Sequence, residues 1–307
     1  MYEAEIFGLY PPRMDYIFPD NWMARLEFFN QTVSRHQLDK ARFCAGGSAR
    51  ESMLALFRAW AACKDAVVMG EKLVAGHAQL PALARFFPEA DFIVIWRDPL
   101  DSCRSVVNAG KHNRFFSRRG MLTRTLFGSE QLARGVLQLR TAGRRVHEVV
   151  YRELVEDPGF ELRKICGFLG VEFDSQMLNL ESADYSMLPP GDHHASVRSG
   201  TVNSNRHPVE VLPAKFVAKG SRYAALWRER YPDVAFVRAL SSPSTETRPG
   251  WLERLADQGF YRGWTWFSDF KRLIFRKMPL SVWRRWRGEM KPAPVERAAV
   301  SSAGKSA

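Results

Sequence analysis

The segment Phe92-Ile93-Val94-Ile95-Trp96-Arg97-Asp98-Pro99-Leu100-Asp101-Ser102-Cys103-Arg104-Ser105 sets a cation and a hydroxyl eight residues apart across the end of an apolar run. Five apolar residues, β-branched and aromatic, predict a buried parallel strand from Phe92 to Trp96. Asp98-Pro99 then turns the chain into a helix expected from about Asp101 to Gly110, which places Ser105 about one turn inside it. In a parallel sheet, ligands bind beyond the carboxyl ends of the strands, beside helix N-termini that favour anions. Arg97 and Ser105 are therefore candidates for a phosphate clamp. On the residues alone, an ion pair between Arg97 and Asp98 that merely closes the turn is an equal alternative.

Other chemistry-bearing residues are less organised. The histidines at 36, 77, 112, 147, 193, 194 and 207 and the cysteines at 44, 63, 103 and 166 have no metal-ligand spacing. No metal is expected, and the cysteines are expected as reduced thiols. His112 follows the clamp helix and could approach an acceptor, although a surface role accounts for it as well. No glycine-rich loop ending in Lys-Ser/Thr occurs, which argues against a P-loop kinase. Gly46-Gly47-Ser48-Ala49-Arg50 follows no clear strand and reads as an ordinary helix start.

The elements that would position these residues alternate. Helices are expected over Asn21 to Gln37, Ser48 to Ala62 and Leu80 to Phe87, with Ala66-Val67-Val68-Met69 as a short strand between the last two. After the Phe92 strand and its helix come a helix from Ser129 to Ala142, a strand from Arg145 to Tyr151 and a helix from Phe160 to Leu169. Strands alternating with helices argue for a parallel sheet of βαβ units. Asp174 to Pro213 is irregular, and a helix from Ala214 to Arg230 follows. The 307 residues carry 46% hydrophobic and 25% charged side chains, ordinary values for a globular chain. The net charge of +12 is concentrated: nine basic residues against Asp269 and Glu289 lie between Arg262 and Lys291. The body is only mildly basic, so a nucleic-acid partner is not expected. No run of eighteen apolar residues and no signal-peptide pattern is visible, so a cytoplasmic location is expected.

Arg97-Asp98-Pro99-Leu100-Asp101 with Ser105 resembles the segment by which sulfotransferases hold the 3′-phosphate of 3′-phosphoadenosine 5′-phosphosulfate (PAPS). Gly70-Glu71-Lys72, Leu80-Pro81 and Phe87-Pro88 look like that family's approach to this strand. Val150-Tyr151-Arg152-Glu153-Leu154-Val155-Glu156-Asp157-Pro158 resembles its "YEDLVEDP" segment, and Phe168-Leu169-Gly170-Val171 the helix end after it. The resemblance runs in the family's order across Gly70 to Val171 and implies that Tyr151 lies against the adenine. It implies an α/β fold with a P-loop NTPase-like central parallel sheet flanked by helices.

Two further stretches extend the resemblance. His194-Ala195-Ser196-Val197-Arg198 and Ser204-Asn205-Arg206-His207 look like the late loop that closes over the donor nucleotide, which makes Ser196 and Arg198 donor-binding candidates. His207 and Pro208 stand where those relatives have Trp, and the spacing differs. Glu3-Ala4-Glu5-Ile6-Phe7 looks like the family's second element, which implies Glu3 as the general base for the acceptor, and Lys72 matches a lysine near the reaction centre. The family's first strand and 5′-phosphosulfate loop would lie before Met1. The chain as written is accordingly expected to lack that strand, to be poorly stable and to turn over little donor.

These readings divide the chain into a sulfotransferase-like α/β domain over 1–240, a linker over 241–250, a basic aromatic helical tail over 251–291 and a disordered end over 292–307. The expected function is sulfuryl transfer from PAPS to a hydroxyl or amine on a small molecule, carbohydrate or lipid. The alternative is a non-catalytic relative that binds nucleotide or serves as a membrane-associated partner. In the tail, Trp266, Phe267, Phe270, Leu273, Ile274 and Met278 recur at helical spacing among Lys271, Arg272, Arg276 and Lys277. That pattern suits peripheral contact with anionic lipid through 264–287, or a helix packed on the domain with its basic face in water.

Overall fold

The computed structural model describes residues 80–112, 120–179, 211–241 and 248–263, with residues 116 and 117 and isolated positions between 50 and 70. The expectations for Asn21 to Gln37, for the loop carrying Ser196 and Arg198, for Glu3 and Lys72, and for everything beyond 263 lie outside the described residues.

Helix α1 (Leu80–Phe86) leads into strand β1 (Phe92–Trp96), and helix α2 (Pro99–His112) follows directly. Helix α3 (Met121–Thr141) precedes strand β2 (Val146–Val150), which runs without a loop into helix α4 (Tyr151–Glu156). Helix α5 (Pro158–Leu169) and a 3₁₀ turn at Ser175–Leu178 close this half. Helix α6 (Ala214–Arg230), short helix α7 (Phe236–Ala239) and helix α8 (251–263) complete the described chain. No helix among the described residues is long and apolar enough to cross a membrane.

The two described strands pair in parallel, Phe92 opposite Val146 through Trp96 opposite Val150. This is the βαβ arrangement expected from the alternating pattern. On one face, Val94, Trp96 and Val150 are buried beneath α3, α6 and α7. Trp96 and Phe236 approach to 5.1 Å between ring centroids, Phe236 and Trp227 to 5.3 Å, and Phe127 meets Tyr223 edge-on at 4.8 Å. This aromatic series fills the core with large apolar rings in favourable tilted geometry. On the other face, α5 covers β2, where His147 stacks on Phe168 at 5.2 Å. Ile95 on β1 remains 52% exposed, so the strand expected to be buried on both faces is buried on one only.

Helix ends follow their chemistry. Asp157 caps α5 by accepting from Phe160 N at 2.9 Å, Pro158 takes the first turn where no N–H is needed, and Gly170 (φ +70°) ends it left-handed. Gly220 brings α6 against Leu100 so closely that a Cβ there would lie 2.5 Å from Leu100 Cδ2.

Three expectations are corrected. Ala66-Val67-Val68-Met69 forms no strand; Val67 is 91% exposed and no described strand lies beside it to satisfy its backbone. Helix α3 starts at Met121, eight residues before the expected Ser129, because Met121, Leu126 and Phe127 carry its buried face forward past Gly128. Tyr151 opens a helix instead of ending a strand. The helix expected over Ser48 to Ala62 is helical at each described position from Arg50 to Ala62, and Arg50 ties it to α1 by donating to Phe86 O at 2.8 Å.

Candidate functional site

Register alone builds the site. Trp96 and Val150 are partners at the carboxyl end of the sheet, so the next residue of each chain segment, Arg97 and Tyr151, emerges beside the other. Helix α2 folds back across this edge and brings Ser105 up from its second turn. Arg97 Nη1 donates to Ser105 Oγ at 3.1 Å, and the Arg97 guanidinium carbon lies 5.1 Å from the Tyr151 ring centroid. Arg97 and Ser105 are exposed, and Tyr151 is 40% exposed. Three of the residues singled out in sequence thus form one cluster, while Glu3, Lys72, Ser196 and Arg198 lie outside the described residues.

The alternative reading, an ion pair between Arg97 and Asp98, does not form. Asp98 is 7% exposed, and its Oδ1 accepts from Leu100 N at 2.7 Å and Asp101 N at 3.1 Å. Its Oδ2 accepts from Ser241 N at 2.6 Å. The carboxylate is therefore the N-cap of α2 and also holds the segment after α7. This revises the clamp. The amide donors at the start of α2 are already used by Asp98, so an anion at this edge meets the side chains of Arg97 and Ser105, not the helix terminus. Arg97 has no carboxylate partner among the described residues. Its guanidinium has five N–H donors, and a neutral hydroxyl and an aromatic face leave most of them without an acceptor among the described residues.

A second group, not singled out in sequence, fixes the strands that carry the cluster. Glu148, in the middle of β2, accepts from Trp96 Nε1 at 2.6 Å and from Ala235 N at 2.9 Å, and pairs with Arg140. It thereby locks β1, β2, α3 and the start of α7 to one carboxylate. The available signal was a charge inside the apolar run Val146-His147-Glu148-Val149-Val150. Cys103 on α2 is fully buried, and burial, aided by the nearby Asp98 charge, pushes its thiol up to about 12, which removes it as a nucleophile. Among the described residues no group of three or more His, Cys, Asp or Glu side chains is arranged to hold a metal ion.

The fold and the cluster define an α/β protein with a cation that no described carboxylate pairs, a hydroxyl and an aromatic ring at the carboxyl edge of a parallel sheet. The model of the sulfotransferase family matches residues 14–175, more than half of the chain and the whole of this cluster, and the chain belongs to that family. Among solved structures, the sulfotransferase domain from the Synechococcus PCC 7002 olefin synthase is similar at 21% identity, over 69% of this chain and 72% of that one, with a TM-score of 0.40. No curated protein matches the chain.

Proposed function

We propose that the protein transfers a sulfuryl group from PAPS to a hydroxyl or amine of a small-molecule, carbohydrate or lipid acceptor. Membership of the sulfotransferase family supports sulfuryl transfer in general. The observation that carries the finer reading is the exposed Arg97 guanidinium, bonded to Ser105 and lying against Tyr151 with no described carboxylate to neutralise it. In this reading Arg97 and Ser105 bind the 3′-phosphate of the donor by charge-assisted and neutral hydrogen bonds, and Tyr151 offers its ring to the adenine. Glu3 takes the acceptor proton as the acceptor oxygen or nitrogen bonds to sulfur. The bond between sulfur and the bridging oxygen breaks, and 3′,5′-bisphosphoadenosine leaves. Lys72 balances the charge that develops there, and Ser196 and Arg198 contact the donor from the late loop.

Calorimetric titration with 3′,5′-bisphosphoadenosine tests the donor site without needing the acceptor. Arg97→Ala should lower affinity about ten- to hundredfold, the effect of a charge-assisted contact worth about 1.5–3 kcal/mol. Equal affinities of the two proteins would remove Arg97 from the site.

A further inference from the structure

Helix α8 is inverted relative to an ordinary surface helix. Its polar residues face the body: Asp257 is 8% exposed, pairs with Lys219 and accepts from Tyr223 Oη at 3.0 Å, while Glu253 pairs with Arg222 at 2.7 Å. Tyr261 is buried beside Phe127, 6.2 Å between ring centroids. The outward arc instead carries Trp251 at 64% exposure, Leu252 at 64% and Leu255 at 59%, with Ala256 and Gly259 also exposed. On a helix of 3.6 residues per turn these positions form one continuous stripe. Its charged neighbour is Arg262, which is exposed, whereas both acidic residues of the helix lie on the inner side.

We propose that this stripe is a membrane-docking surface for anionic lipid. Two observations select the occupant. The exposed residues are a tryptophan and two leucines, the side chains that enter the boundary between headgroups and acyl chains. The stretch of sequence that continues from the end of α8 is strongly basic: from Arg262 to Lys291 the chain has nine basic residues and only Asp269 and Glu289 as acids. A surface that turns its carboxylates into the protein and adjoins such a basic segment is complementary to a negatively charged bilayer.

The test is flotation of the full-length protein with phosphatidylcholine vesicles and with vesicles that also contain phosphatidylserine. Binding is expected to the mixed vesicles alone and should weaken as salt rises. The triple variant Trp251→Gln, Leu252→Gln, Leu255→Gln should bind on the order of tenfold or more weakly, since apolar insertion supplies much of such affinity. Its thermal melt should match the wild type because all three side chains are exposed. Equal binding by variant and wild type, or equal binding to neutral and mixed vesicles, overturns the proposal. A concentration-dependent dimer in size-exclusion chromatography that the triple variant abolishes, with no vesicle binding, also overturns it and makes the stripe a contact between copies of the chain. If the triple variant fails to fold, the single variants Trp251→Gln and Leu255→Gln, each at an exposed position, replace it, and vesicle binding equal to the wild type in both overturns the proposal.

Discussion

Two arginine clusters in this molecule use the same chemistry to opposite ends. At Glu130, 2% exposed on α3, one carboxylate oxygen accepts from Arg134 at 2.9 Å, from Arg230 at 2.8 Å and from Tyr231 Oη at 3.4 Å. Arg134 Nε also donates to the Tyr231 oxygen at 3.2 Å, so both guanidiniums of this cluster have a carboxylate partner and one a phenol as well. Burial raises the Tyr231 phenol above its ordinary range, which keeps it protonated and able to donate. At Arg97 the charge meets a neutral hydroxyl and a ring, and its solvent side is open. A charge compensated in place is committed to the fold. One with no described carboxylate partner at a sheet edge is the kind that the proposed reading assigns to an anion, so pairing, not residue type, is what sets the two arginine clusters apart among the described residues.

The comparison can be broken by substitution. Glu130→Ala should cost the most, about 2 kcal/mol in urea denaturation, because it removes the acceptor shared by the buried Tyr231 hydroxyl and by two guanidiniums that are each about a third exposed. The folded variant should still bind 3′,5′-bisphosphoadenosine as the wild type does. A loss of affinity at constant stability would mean that the Glu130 cluster also serves the ligand. Gly220→Ala probes the packing between the two regions. Its new Cβ presses on Leu100, and the overpacking cost less the gain in helix propensity should leave a net loss of about 1–2 kcal/mol. Adding Leu100→Ala to Gly220→Ala should relieve part of that strain, so a double-mutant cycle that shows simple additivity refutes the contact. Ser105→Ala should have the smallest effect, roughly a fivefold loss of nucleotide affinity for one neutral hydrogen bond of about 1 kcal/mol. Its stability should stay within about 0.5 kcal/mol of the wild type, as for other exposed positions.

What was legible in the sequence was whatever depends on neighbours along the chain. The strand Phe92–Trp96 declared itself by five consecutive apolar residues, and α6 by its periodic pattern between Pro213 and Tyr231. The meeting of Arg97 with Ser105 was legible because one follows a strand end and the other sits about one turn into the next helix, whereas Tyr151 was brought to them only by the family resemblance. The Glu130 cluster was not, since Arg230 and Tyr231 reach it from the far end of α6 and no local spacing announces that return. The role of Asp98 was left open between alternatives because its partners are backbone amides, including Ser241 N, and not the adjacent Arg97. Ala66 to Met69 misled for the converse reason: apolarity marks a strand only where another strand offers it hydrogen bonds.

The pairing of Trp96 with Val150 makes the position of Arg97 a matter of counting. Exchanging one apolar residue for another within β1 or β2 leaves that count unchanged, so the pair Arg97 and Tyr151 still arrives together. Inserting a single residue into either strand advances one chain by about 3.3 Å and turns its following side chain to the opposite face. The strands would thus accept many changes of letter and few changes of length. Indel scanning between Phe92 and Trp96 should therefore separate loss of nucleotide binding from loss of folding more sharply than substitution scanning of the same five positions.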